Sequence, residues 1–152
     1  MNTNIENWIS DALTLLGLYG RKATAPVASN IHSHARSAFV KGAPRSWWLS
    51  LKTEPTRWSS HEKALHELVA DMDAQGWFIP ETETADSLVY RLSAREAELV
   101  VGECPFFEYY FLDDQCSLLV IENDHNEFFV CRYEVEPPIS DSPPSPPSES
   151  II

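Results

Sequence analysis

Glu122-Asn123-Asp124-His125-Asn126 puts two carboxylates, two amides and an imidazole into five consecutive positions. Oxygen ligands at that density suit a hard cation, and a carboxylate beside an imidazole suits proton transfer. The same residue types also favour tight turns, because Asn and Asp tolerate left-handed backbone and bond their own amides. The turn reading is the stronger of the two. Glu108 stands among Phe106, Phe107, Tyr109 and Tyr110, where a carboxylate on a covered face would lose its water and need a partner. Joined by Glu122 and His125 it would make the paired-carboxylate site of a small metal-dependent hydrolase. Facing solvent, or meeting Arg45, Arg91 or Arg132, it would be structural, and that reading is favoured.

Other groupings carry less chemistry. His61 and His66 are five residues apart, about 140° around a helix, so they cannot share the face that a zinc-peptidase helix requires. His32 and His34 have no acidic or thiol companion near them in sequence, which leaves them as surface residues. Cys104, Cys116 and Cys131 form no C-x-x-C pair and read as reduced, buried thiols rather than nucleophiles. Neither a phosphate-cradling glycine loop nor a nucleophile elbow is present among the five glycines. No cofactor and no metal site is expected.

Charge gives a clearer signal. Between Arg95 and Arg132 lie nine acidic residues and no Lys or Arg, and residues 96–152 hold thirteen acids against one base, while residues 1–95 balance at ten each, leaving a net charge of −12. A field of that sign attracts basic surfaces and repels nucleic acid and anionic membranes. Arg45 and the tryptophans Trp47, Trp48, Trp58 and Trp77 would suit a stacking platform for bases, but the charge opposes it. Core packing is the default for most of the tryptophans, with Arg45 and Trp48 as anchors at a protein interface. No segment approaches the roughly 20 apolar residues of a membrane span, and the N-terminus lacks a signal-like pattern. The expected location is cytoplasmic.

The elements that position these residues follow from periodicity. Ile5, Trp8, Ile9, Ala12, Leu13 and Leu16 predict a helix over 5–18, and Ile31, Ala35, Ala38 and Phe39 a second one capped by Asn30. Residues 47–51 read as a short strand. Ser59-x-x-Glu62, followed by Leu65, Leu68, Val69 and Met72, predicts a third helix over 60–75, and Ser93-x-x-Glu96 a short fourth one over 94–101. Strands are expected at 77–79 and 88–92. Three further strands at 106–112, 117–122 and 128–133, joined by short polar links, form a β-meander. Both faces of its first strand are apolar, which implies cover on both sides. The fold class is therefore α+β, an antiparallel sheet with a C-terminal three-strand meander packed against three to four helices. A chain of 152 residues buries about 68–70% of its unfolded surface, so residues 1–136 read as one domain. Residues 137–150 hold six of the eleven prolines, and 137–152 read as a disordered Pro/Ser-rich tail.

Glu103-Cys104-Pro105-Phe106-Phe107-Glu108-Tyr109-Tyr110-Phe111 and Leu118-Leu119-Val120-Ile121-Glu122-Asn123-Asp124-His125-Asn126 resemble the signature of an uncharacterised family of small bacterial proteins. Pro44-Arg45-Ser46-Trp47-Trp48 and Trp77-Phe78-Ile79-Pro80-Glu81 are similar in the same sense. The likeness covers roughly residues 35–133 and implies a bacterial origin and a single α+β domain. Asp124 replaces the first His of that family's Glu-Asn-His-His block, so a role for paired histidines does not carry over. In style alone the chain is also similar to the small acidic immunity proteins of bacterial toxin systems.

These observations lead to an expected function: a non-catalytic acidic binding protein, such as an immunity-type inhibitor of a basic toxin. Glu103, Glu108, Asp113, Asp114, Glu122, Asp124, His125 and Glu127 would present the acidic meander to a basic protein partner. Two alternatives stand beside it. One is the metal-dependent hydrolase using Glu108, Glu122 and His125, and the other is a nucleic-acid mimic that blocks a DNA-binding protein.

Overall fold

Apolar side chains on both parities of residues 109–132 form the middle of a six-stranded antiparallel sheet, in the order β1-β6-β5-β4-β2-β3. The strands are β1 (Thr56–Ser59), β2 (Gln75–Pro80), β3 (Tyr90–Ser93), β4 (Tyr109–Leu112), β5 (Leu118–Glu122) and β6 (Glu127–Arg132). Three helices, α1 (Asn2–Leu16), α2 (Ala25–Phe39) and α3 (Ala94–Gly102), complete the α+β fold among the described residues. The structure, a computed structural model, describes residues 2–82 and 88–133. The expected tail over 137–152 lies outside them.

The sheet is covered on both faces, as the apolar β4 requires. Phe78, Tyr109, Phe111, Val120 and Phe128 meet Ile9, Ala12 and Leu13 of α1 and Ala94, Ala97 and Val100 of α3. On the opposite face Ile79, Tyr110, Leu112, Ile121 and Phe129 meet Ala28, Ala35 and Phe39 of α2 together with Trp47. Burying side chains of this size stabilises the fold by about 1.5–3 kcal/mol each, so pairing and cover reinforce one another. α1 ends where expected: Gly17 takes φ +72° and the Leu18 amide reaches the Leu13 carbonyl at 2.9 Å, the six-to-one bond that closes a helix behind a left-handed glycine.

Three local expectations are overturned. α2 starts five residues before Asn30, with Thr24 as its extended N-cap and Pro26 in the first turn, where a missing N–H costs nothing and the fixed φ suits a helix. Residues 47–49 form a 3₁₀ turn instead of a strand, with only an isolated bridge between Val40 and Leu51 beside it. Most consequentially, no helix spans 60–75. Ser59 ends β1, paired through Ser59–Glu127 in the register with β6, and the chain then passes through a turn and a short 3₁₀ segment, Leu65–Leu68.

Candidate functional site

β5 has five residues, so the turns before and after it are roughly 17 Å apart at 3.3–3.4 Å per residue. The acidic residues of the meander are thereby divided between two ends of the sheet. Strand alternation divides them again between its two faces. Tyr109 pairs with Glu122 and Tyr110 with Ile121. Tyr109 points to the α1/α3 face and donates to Glu122 Oε1 at 2.7 Å. Burial raises the Glu122 carboxyl, the Tyr109 hydroxyl opposes that shift, and nearby Glu98 adds to it. Glu108, one residue before Tyr109, lies beside Trp48, which packs on the α2 face. Glu108 and Glu122 therefore do not share a site, and the trio Glu108, Glu122 and His125 does not converge. Among the described residues no group of three His, Cys, Asp or Glu side chains is placed to hold a metal ion.

What does converge is a cluster of carboxylates and aromatic rings on the α2 face, where β2 ends and β4 begins. The Glu81 amide bonds the Glu108 carbonyl at 2.9 Å, which sets the two acids side by side. Tyr110 Oη donates to Glu81 Oε1. Its hydroxyl is buried and faces Glu81, so it is held well above the ordinary tyrosine range and acts as a donor, not as a base. Trp47 stacks on Tyr110 with centroids 4.1 Å apart and planes at 6°, and His32 meets Trp47 edge-on at 5.1 Å. Burial, with Arg36 nearby, lowers the His32 pKa and keeps that ring neutral.

Glu108 has the most unusual setting in the cluster. Its Oε2 is buried, and the indole Nε1 of Trp48 lies beside the carboxyl, close enough to stabilise its charge but short of full hydrogen-bond geometry. Desolvation raises the Glu108 carboxyl above its usual value of 4.5; the Trp48 indole pulls the other way, Asp124 and Glu81 push it up further, and Arg45 lowers it slightly. His125 stands edge-on to Trp48 at 5.9 Å and 3.5 Å from Asp124, both side chains being about two-thirds exposed. The arrangement is a half-covered acidic recess with an aromatic wall. It can accept a cation or a hydrogen-bond donor, and it offers no nucleophile.

Three of the residues singled out in the sequence, Glu108, Asp124 and His125, meet here, together with the proposed anchors Arg45 and Trp48. The remaining five lie elsewhere. Asp113 accepts bonds from the Ser117 amide at 2.7 Å, the Leu118 amide at 3.0 Å and the Ser117 hydroxyl at 2.6 Å, which makes it the clasp of the β4–β5 turn. Asp114, at the same end, is paired with Arg91 at 2.7 Å. Glu103 caps the C-terminus of α3. Glu127 accepts from the Asn123 side chain at 3.2 Å, and Asn123, fully buried, also takes the His125 and Glu127 amides. With Asn126 at φ +61°, most of the 122–126 cluster builds the hairpin, as the residue types suggested. Only Asp124 and His125 project from it.

Glu81 and Tyr110 belong to the site but were not among the candidate residues. A carboxylate placed just after an apolar strand and its closing proline was the available signal for Glu81. Tyr110 lay hidden among aromatics of both parities. The cysteine nucleophile gains nothing: Cys104 is raised by burial and by Glu103 and Asp11, and burial alone pushes the Cys131 thiol up to about 12. No helix among the described residues is long and apolar enough to cross a membrane. No protein-family model, curated protein or solved structure matches the chain.

Proposed function

We propose that the chain is a non-catalytic acidic binding protein, and that its recognition surface is the recess around Glu81, Glu108, Asp124, Trp48 and His125 rather than the whole meander. The observation that carries this reading is Glu108 Oε2, a buried carboxylate oxygen that has only the Trp48 indole beside it, short of full hydrogen-bond geometry, and two further acids flanking it. A buried acceptor so poorly paired is costly, and a guanidinium or ammonium group from a basic partner would relieve that cost with a charge-assisted bond. Trp48 supplies an amphipathic anchor whose indole N–H would donate to a backbone carbonyl of the same partner. All four segments that carry the resemblance to the bacterial family contribute side chains to this recess. An immunity-type inhibitor of a basic toxin is the concrete form of the proposal.

The test is capture from the source organism with wild-type and Glu108→Gln baits, at low and at high salt, followed by association kinetics with the purified partner. A basic partner retained by the wild type, lost from the variant and bound more slowly as salt rises is the expected result. Equal retention by both baits, or an on-rate insensitive to salt, would refute it.

A further inference from the structure

At the opposite end of the sheet, where β2 and β4 meet the 113–117 turn, a cleft of about 450 Å³ opens between that turn and residues 69–75. Its size falls within the range of small-molecule sites. Val69, Gly76, Phe111 and Leu118 give it an apolar floor, and Arg91 and Arg132 stand at its polar side. The floor is tight by construction: a Cβ on Gly76 would lie 2.5 Å from Phe111 Cζ and 2.7 Å from the Leu112 carbonyl oxygen.

The two arginines leave hydrogen-bond donors over. The Arg91 guanidinium stacks on the Trp77 ring at 4.4 Å and pairs through Nη2 with Asp114 at 2.7 Å. Its Nη1 is buried without any partner. Arg132 makes no ion pair among the described residues. The acids around the cleft are already engaged: Asp113 clasps its turn, Asp114 holds Arg91, and Asp71 accepts the Asp73 amide at 3.0 Å. Two guanidinium groups thus line an apolar cleft whose own acids are already engaged. A guanidinium held in place by a ring and a carboxylate is suited to a planar, two-oxygen acceptor. The same acids would repel a doubly charged phosphate more than a singly charged group.

We infer that this cleft binds a small monocarboxylic acid with an aryl or alkyl body, the carboxylate meeting Arg91 and the body lying on Phe111 and Leu118. The site is independent of the acidic recess and does not rest on the partner reading above. The net charge of −12 slows approach of an anion, but within the cleft the local donors decide, and salt screens the distant charge.

The experiment is a titration of the ¹⁵N-labelled full chain with 4-phenylbutyrate in a carboxylate-free buffer, reading the Gly76 amide and the Trp77 indole. Saturable shifts at both positions are expected, with the neutral 4-phenylbutyramide bound at least roughly tenfold more weakly, a factor worth about 1.4 kcal/mol. Arg91→Gln should weaken the acid by a similar factor. Ala70→Trp, which fills the cleft from its exposed rim and leaves Arg91 itself unchanged, should abolish binding and keeps the test decisive if the arginine variant misfolds. Glu108→Gln should bind as the wild type does. Absence of saturable shifts, shifts confined to other residues, or equal binding of acid and amide would overturn the inference.

Discussion

The two ends of the sheet are chemical opposites. Where β2 runs out and β4 begins, a buried carboxylate oxygen, Glu108 Oε2, is left with only the poorly aligned Trp48 indole; at the other end a guanidinium nitrogen, Arg91 Nη1, is buried without a partner. Both belong to a chain whose net charge is −12, and that figure alone would make every end look ready for a cation. What a surface can take depends on which groups the fold has already satisfied. Asp113 and Asp114 lie in the acidic half of the sequence, yet the turn and Arg91 use them up. Asp124 and Glu108 are left to act outward.

The largest expected effect is at the cleft end. Gly76→Ala places a methyl against the Phe111 ring and, less avoidably, against the Leu112 backbone carbonyl. Overpacking of that kind costs about 3 kcal/mol, a fall in Tm of roughly 6–12 °C at this chain length. Thermal unfolding followed by circular dichroism checks it, and a Tm within a degree of wild type would mean that the cleft floor can open freely.

Next in size is a carboxylate at the same end whose fate is opposite to that of Glu108. Burial alone would raise Glu96, but hydrogen bonds from Arg21, the Ser93 backbone and Gln75 hold it down to about 2. A folded value below the ordinary 4.5 adds stability that is fully present above pH 4.5 and is lost as pH falls towards 2. Glu96→Gln should therefore cost about 2 kcal/mol at neutral pH, with the gap to wild type closing across that acid window. Urea titrations at a series of pH values measure it.

That helix end also shows how far the sequence could be read. Ser93-x-x-Glu96 and Ser59-x-x-Glu62 carry the same four-residue signature, and only the first starts a helix. After Ser93, Ala97 and Val100 fall on a face that packs against the sheet, so local and tertiary preferences agree. After Ser59 the reciprocal bond from the Ser59 amide to Glu62 Oε1 still forms at 3.2 Å, but the Ser59 hydroxyl takes the His61 amide instead, and the result is a turn. β1 must end there to pair with β6, and α1 and α3 already cover the adjoining face. Leu65, Leu68 and Val69 reach the same core without a helix, because the need to bury apolar side chains outlasts any one way of presenting them. The meander, its double cover and the hairpin role of Asn123 and Asn126 were legible, since alternation and turn chemistry are local. The recess was only half legible. Which carboxylates share a face depends on strand parity, and a one-residue difference in register separates Glu108 from Glu122.

Glu108→Gln reverses the sign seen at Glu96. A folded pKa raised above 4.5 means that the group's favourable contribution is complete below pH 4.5 and disappears as pH rises through the folded value. Removing the charge should gain on the order of 1 kcal/mol at pH 7, visible as a Tm raised by roughly 2–4 °C and absent at pH 4. A variant that is more stable yet binds its partner less well would mark the recess as a place where the fold carries strain for recognition. Equal or lower stability at pH 7 would mean that Glu108 finds a partner of its own in the free protein.

The smallest effect separates the two ends by charge alone. Asp124→Lys and Asp114→Lys make the same change of two units, so any difference between them reports position and not net charge. Asp124 is exposed beside the recess, whereas Asp114 lies at the far end, already held by Arg91, and roughly 17 Å of strand is well beyond a Debye length of about 8 Å at physiological salt. Association with the basic partner should slow roughly threefold for Asp124→Lys and hardly at all for Asp114→Lys, measured by stopped-flow at fixed ionic strength. The ranking should fade as salt is added, because both charges are then screened. A larger effect at Asp114 would move the recognition surface to the β4–β5 turn, and with it the division of labour between the two ends of the sheet.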